Sequence, residues 1–382
     1  MPKSDISISR KPEVADISTT LCGIPMKSPF ILSSGPLGSD ADALIKAYNA
    51  GCGAVVTKTI RAQKAVNPLN HIAAFGSKSL LNCEKWSDLP REQWIKVEIP
   101  KAKAAGVVVI ASVGHTKVEA KETVKEVEKA GADMIELVSY SKDDILPMLK
   151  ITKELVDIPV ICKLSANWSD VAGLAQELTR GGADGLCAID SIGPTLRIDI
   201  NRAAPVLGGE GGAGWMSGEA IRPVSLHVNA DISRRLPDFR NLYGCGGCMS
   251  AADAIEFLMC GCAGVGLCTY GILNGIDAVT GLCNDLSETL CQLGYHDIES
   301  VRGAAIKNLP KEDIQGKIKF KFKPFPDKDL GFKGCIRCNR CGVVCSYGAR
   351  RLEYPEMTVD ERLCRGCGVC ADICPTGALK AE

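Results

Sequence analysis

The sequence has no surplus charge: 45 basic residues face 45 acidic ones over 382 positions, so the formal net charge is zero. That balance gives no footing for nucleic acid or for an anionic surface. No stretch approaches the roughly 20 apolar residues of a membrane span. The opening MPKSDISISRKPEVADIS lacks the apolar core of a secretory signal. The expectation is a soluble, cytoplasmic chain with no nucleic-acid or membrane partner. Histidine is scarce too: His71, His115, His227 and His296 share no metal-like spacing, and only His115 ends a candidate strand where it can face a pocket. No Gly-x-Gly-x-x-Gly follows the first candidate strand, which removes the usual route for oxidising NAD(P)H within this chain.

Cysteine, by contrast, is abundant, with 20 in the chain. In a reducing compartment these are ligands or small buried hydrophobes rather than disulfides, and spacing separates the two. Cys335-x2-Cys338-x2-Cys341-x3-Cys345 and Cys364-x2-Cys367-x2-Cys370-x3-Cys374-Pro375 form two runs. Each matches the bacterial ferredoxin pattern, in which the fourth cysteine ligates the other cluster. Cys335, Cys338, Cys341 and Cys374 are therefore expected to hold one [4Fe–4S] cluster, and Cys364, Cys367, Cys370 and Cys345 a second. A zinc knuckle would leave half of these thiolates without a role. Ser346 stands where the second run has Pro375, which loosens a turn and removes no ligand. Cys22, Cys52, Cys83, Cys162, Cys187, Cys260, Cys262, Cys283 and Cys291 lie in apolar settings and read as packing. Cys245 and Cys248 read as core or turn residues rather than a redox pair.

Ahead of these runs, eight short apolar segments alternate with helical patterns: Pro29–Gly35, Ala54–Thr59, Val107–Val113, Met134–Tyr140, Pro159–Ser165, Gly185–Asp190, Asn241–Gly247 and Gly264–Thr269. Helices are expected over Lys117–Ala130, Asp143–Leu155, Asp170–Arg180 and Ala251–Met259. Strands apolar on both faces are buried parallel strands. Eight such units predict an α/β fold, a (β/α)8 TIM barrel, in preference to a doubly wound sheet. A small bacterial two-cluster ferredoxin-like α+β domain follows it. The boundaries read are a barrel over 1–310, a connector over 311–330 and the ferredoxin domain over 331–382. Within the connector, Lys317–Pro326 alternates basic and apolar residues, as an edge strand does.

Chemistry in a barrel sits at the C-terminal ends of the strands. There the second strand carries Lys58, the fifth Lys163, and the sixth Asp190 and Ser191. Two lysines at the mouth suit an anionic or electron-rich ligand. The seventh strand ends in Gly246-Gly247 and the eighth in Cys268-Thr269, the turns at which barrels bind phosphate through free N–H groups.

Val56-Thr-Lys-Thr59, Lys163-Leu-Ser-Ala-Asn167, Gly182-Ala-Asp-Gly185, Ser217-Gly-Glu-Ala-Ile-Arg-Pro223 and the Gly246-Gly247 turn resemble the dihydroorotate dehydrogenase family. The resemblance is nearest to its dihydropyrimidine dehydrogenase branch, where a two-cluster ferredoxin follows the barrel. It implies FMN as cofactor, with Lys58 and Lys163 at the flavin ring. Ser34 and Gly35 would line it, Gly218 would lie by the ribityl chain, and Gly246, Gly247, Cys268 and Thr269 would hold the phosphate. It also implies Asn82, Glu84 and Asn167 at the substrate. Departures follow on the fourth strand, Glu136-Leu-Val-Ser-Tyr-Ser141. Ser141 takes the place of the family's acid/base cysteine, Tyr140 that of a serine and Val138 that of an asparagine, so Ser141 and Tyr140 are the candidate proton carriers. Asp190 replaces a substrate-binding asparagine, and the family's lid after this strand is nearly gone. The reading is an FMN and iron–sulfur oxidoreductase acting on a C=C or C=N bond of a small nitrogen-containing ring, but not on uracil or dihydroorotate. Its electron partner would be a ferredoxin or an NAD(P)H-oxidising flavoprotein subunit, in a homodimer or hetero-oligomer. The alternative is an electron-transfer subunit of a larger redox complex.

Overall fold

The computed structural model describes residues 14–316, 319–322, 334–353 and 356–381. The chain divides into two compact units, Met1–Leu309 and Pro310–Glu382.

In the larger unit eight parallel strands close into a barrel. They are β1 (Phe30–Leu32), β2 (Ala54–Val56), β3 (Val109–Gly114), β4 (Met134–Val138), β5 (Val160–Leu164), β6 (Gly185–Ala188), β7 (Leu242–Cys245) and β8 (Gly264–Leu267). Neighbours in sequence are neighbours in the ring, and Val265 beside Phe30 closes it. All eight candidate strands are present. Alternation sorts their side chains. Ile31, Ala54, Val56, Ile110, Met134 and Ile161 fill the barrel interior, while Phe30, Leu32, Val109, Ile135, Val160 and Leu164 pack outward with the helices. A hairpin, Thr19–Leu21 with Ile24–Met26, adds Leu21 and Met26 to the inner cluster.

The helices start where the sequence caps them. Side chains of Asp40, Thr116, Ser141, Asp170 and Ser250 each accept a backbone N–H from the first turn of the helix they precede. The helix after β4 begins at Lys142, directly behind its cap, so no lid separates strand from helix. Two insertions do add structure that periodicity did not announce. The segments after β2 and β6 form a four-stranded antiparallel sheet, ordered Ile192–Thr195, Gly214–Gly218, Ser79–Asn82, Ile72–Phe75. Trp215 stands opposite Asn82 in it. These strands, two of which contain glycine, are four or five residues long, too short for a period of two to show.

The smaller unit has two antiparallel pairs, Arg350–Glu353 with Glu356–Val359 and Phe320–Phe322 with Leu379–Ala381, and two four-residue helices, Arg340–Val343 and Val369–Asp372. Of the alternating segment 317–326, residues 319–322 are described and the remainder lies outside the described residues. Among the described residues no helix is long and apolar enough to cross a membrane.

Candidate active site

At the C-terminal ends of the strands lies a cavity of about 660 Å³, within the range of a cofactor site. Its wall includes Ser34, Gly35, Lys58, Asn82, Glu84, Tyr140, Lys163, Asn167, Asp190, Ser191, Gly218, Gly246, Gly247, Cys268 and Thr269. Ser141 is absent from it. Its Oγ accepts the Asp143 N–H at 3.2 Å as the cap of the following helix. Of the two candidate proton carriers, the structure brings Tyr140 to the cavity wall, with Ser139 beside it, and engages Ser141 as the helix cap. Ser139 donates to the His115 carbonyl at 2.9 Å and accepts the Ser141 N–H at 3.1 Å, which fixes this turn.

Both lysines at the mouth are buried and paired. Lys58 Nζ lies 2.8 Å from Glu84 Oε1 and 2.9 Å from Asp88 Oδ2. Lys163 Nζ lies 3.3 Å from Asp190 Oδ1. Burial works against the Lys163 charge, but the carboxylates of Asp190 and Glu136 outweigh it and hold its ammonium well above the ordinary lysine range. The pairing follows from the barrel. Asp190 N–H donates to Leu164 O at 2.8 Å, so adjacent strand ends set the acid beside the base. Asp190, which replaces the family's substrate-binding asparagine, thus already meets one cation within the chain. One oxygen serves Lys163 and the Ser191 N–H, the latter at 2.8 Å.

Below the mouth is a second polar layer. Tyr243 donates to Glu136, and both are fully buried. Burial pushes the Glu136 carboxyl above its ordinary range against the pull of Lys163. Ser33 Oγ and Cys245 Sγ are 3.3 Å apart. A hydrogen bond from Cys187, with help from Lys163 and Ser33, lowers the Cys245 thiol despite burial.

The far wall tests whether FMN fits. Gly246 and Gly247 have φ of 111° and 104°, left-handed backbone that favours glycine. A Cβ on Gly247 would sit 2.5 Å from that of Arg222. The N–H groups of Gly246, Gly247 and Cys248 have no partner among the described residues, so they are free to bind an anion. Opposite them Ser217 Oγ and Thr269 Oγ1 meet at 2.9 Å. Gly218, at φ 89°, allows close contact with Lys78 O and Thr269. Free N–H groups at one end and a buried ammonium at the other match a phosphate and the N1–C2 edge of a flavin, so the cavity fits FMN.

Aromatic residues and His115, the histidine at a strand end, complete the wall. Trp86, Trp168 and Trp215 line the cavity, although nothing in their spacing links them. His115 is 7% exposed, and neither ring nitrogen has a partner. Its ring stacks on Tyr140 at 4.1 Å and 13°. Burial, aided by the Arg61 guanidinium, pushes its pKa down to about 4, so it is neutral at pH 7. Arg61 lies 4.1 Å over Trp86 and is held by both oxygens of Glu119. The Asn82 amide donates to Trp215 O at 3.3 Å, and that of Asn167 to Gly193 O.

In the smaller unit Cys335, Cys338, Cys341 and Cys374 line one small cavity, three from the first run and one from the end of the second. Cys370 of the other set is buried.

Comparison with known proteins accords with this geometry. The family model described as dihydroorotate dehydrogenase matches residues 16–290, and the one described as a 4Fe-4S dicluster domain matches 334–378. The chain is similar to the NAD-dependent dihydropyrimidine dehydrogenase subunit PreA of Escherichia coli (strain K12), at 29% identity over 96% of this chain and 95% of the relative. It is 30% identical to the catalytic subunit of dihydroorotate dehydrogenase B (NAD(+)) of Methanothermobacter thermautotrophicus, over 76% of this chain and 98% of the relative. The chloroplastic dihydropyrimidine dehydrogenase (NADP(+)) of Arabidopsis thaliana is 28% identical over 76% of this chain and 77% of the relative.

Proposed function

We propose that this chain, which belongs to the dihydroorotate dehydrogenase family, is the substrate-handling subunit of an FMN and iron–sulfur oxidoreductase whose substrate is a nitrogen-containing ring other than uracil or dihydroorotate. The family is one of flavin oxidoreductases acting on CH–CH or CH–NH groups, and a [4Fe–4S] ferredoxin domain follows the barrel. The single observation that carries the substrate reading is the Lys163–Asp190 pair beside Val138 in the cavity wall. A carboxylate committed to a buried lysine, next to an apolar side chain, does not present the paired donor and acceptor that an amide would offer a pyrimidine.

FMN bound here supplies two-electron transfer to or from the ring. The N–H groups of Gly246 and Gly247 would hold its phosphate, and Lys163 would supply a positive charge to its ring. Asn82, Glu84 and Asn167 orient the substrate, with Ser191 at the same wall. Tyr140 carries the proton, because a phenol at the cavity wall both donates and accepts. Neutral His115 stacks against its ring without adding charge. In the ferredoxin domain two clusters are held, one by Cys335, Cys338, Cys341 and Cys374 and one by Cys364, Cys367, Cys370 and Cys345. They pass electrons to or from a partner, either a ferredoxin or an NAD(P)H-oxidising flavoprotein subunit.

The test is anaerobic. The holoprotein is reduced, a panel of heterocycles is added, and flavin reoxidation is followed by absorbance. A ring compound other than uracil, thymine or orotate is expected to reoxidise it. Rapid reoxidation by any of those three would overturn the substrate reading. Reoxidation by a co-purifying protein alone would replace it with an electron-transfer subunit.

A further inference from the structure

The two halves of the ferredoxin domain repeat one another in their cysteines, and where the repeat puts a buried leucine in one half it puts a buried arginine in the other. After the last cysteine of the first run the chain reads Cys345-Ser-Tyr-Gly-Ala-Arg350. After the last cysteine of the second it reads Cys374-Pro-Thr-Gly-Ala-Leu379. Ala349 and Ala378 are equally buried, at 2% and 1% exposure. Leu379 is buried, and it walls the cavity of Cys335, Cys338, Cys341 and Cys374. Arg350, its counterpart, is buried as well. Its Nε donates to the Sγ of Cys370, in the other cysteine set, at 3.0 Å. Its guanidinium lies 4.5 Å over the Phe320 ring. Its Nη2 is buried with no partner among the described residues.

A buried guanidinium is costly unless its donors are met and its charge is opposed. Every polar contact seen here leads to a cluster ligand, and Nη2 still needs an acceptor. A [4Fe–4S] cluster on four thiolates is an anion that gains one further negative charge when it takes an electron, with no proton required. Its sulfurs accept hydrogen bonds, and net charge, hydrogen bonds to sulfur and exposure set its potential. The Arg350 charge reaches Cys341 of the other set as well as Cys345, but its hydrogen bond goes only to Cys370, and that bond, with a leucine at the matching place, makes the two clusters unequal. We propose that Arg350 is a positioning residue for electrons. It raises the reduction potential of the cluster held by Cys364, Cys367, Cys370 and Cys345, so that this cluster is reduced first and holds the electron longer. The inference rests on the two-cluster reading above.

The experiment compares the wild-type holoprotein with R350L, which gives both halves the same residue, in an anaerobic dithionite titration followed by EPR. For one cluster the reduction equilibrium constant is expected to fall at least tenfold, 59 mV for a one-electron couple. The other should move less than threefold. Unmoved potentials in a variant with full iron content, or equal shifts in both clusters, would overturn the role of Arg350. Iron and sulfide sufficient for only a single centre in the wild type would overturn the two-cluster reading instead. If R350L loses its iron, wild-type protein carrying guanidino-15N arginine decides the matter. A 15N hyperfine coupling to the reduced cluster is expected in pulsed EPR, and its absence would refute the contact.

Discussion

His115 offers a sharp test of the cavity wall, because its two ring nitrogens are buried without partners. Arg61 and Lys163 oppose its protonation while Glu119 and Asp190 favour it, and burial outweighs them all to set a pKa of about 4, down from 6.5. The unfolded chain therefore binds a proton below about pH 6.5 that the native protein refuses until about pH 4. Stability contributed at neutral pH is lost as pH falls through that window. Linkage puts the loss between pH 7.5 and pH 5 at about 2 kcal/mol, with a limit of about 3 kcal/mol at lower pH. His115→Phe keeps the stack on Tyr140 and removes the titrating group. It also removes two unsatisfied nitrogens, so at pH 7.5 it should be as stable as the wild type or more so. Urea unfolding of the anaerobic holoprotein at both pH values, read by tryptophan fluorescence, gives the double difference in which other titrating groups cancel. Wild type and H115F should differ by about 2 kcal/mol in their pH 7.5-to-5 change. Equal pH dependence in the two would refute the buried, neutral histidine.

Other perturbations probe separate parts of the site. Asp190→Asn frees the Lys163 ammonium from its 3.3 Å partner, so the reduced flavin gains stability and its two-electron potential should rise, by ~30 mV for each tenfold change. A fall or no change under dye-coupled titration would count against Lys163 facing the flavin. Ser141→Ala removes a helix cap and should cost about 1 kcal/mol in unfolding while turnover stays within about twofold of wild type; a loss of turnover by orders of magnitude would return Ser141 to the chemistry. Gly247→Ala puts a methyl 2.5 Å from the Arg222 Cβ at φ 104°, and strain of about 1–3 kcal/mol should loosen the phosphate turn. FMN should be lost on desalting, and retention equal to wild type would place the phosphate elsewhere.

Much of this fold was legible because the barrel strands are apolar on both faces and several of the helices between them carry their own caps. Lys58, Lys163 and the Gly246-Gly247 turn were legible because strand ends define the mouth. Pairings across the ring were not. Asp190 reads as a substituted substrate residue until the β5–β6 register sets it against Lys163. Ser141 reads as an acid/base residue by alignment, yet one turn of backbone gives its hydroxyl to a helix. Trp86, Trp168 and Trp215 come from three different connections, so only the closed barrel assembles them. His115 carries no spacing signal at all; its isolation appears only when burial and missing partners are seen together. Arg350 carries no signal in sequence, because an arginine after a cysteine run reads as a surface residue until its burial against Cys370 is seen.

The pairing of Phe320–Phe322 with Leu379–Ala381 bears on how the protein is made. The barrel has all eight of its strands once Leu267 has left the ribosome, so it can close while synthesis continues. The ferredoxin domain cannot: its outer strand pair, and a cysteine set that joins Cys335 to Cys374, wait for more than a hundred further residues. Domains tend to fold in the order they emerge, so this cysteine set can be completed only after the barrel strands have been made. A cell short of iron would thus accumulate chains with a finished barrel and an unfinished electrical contact.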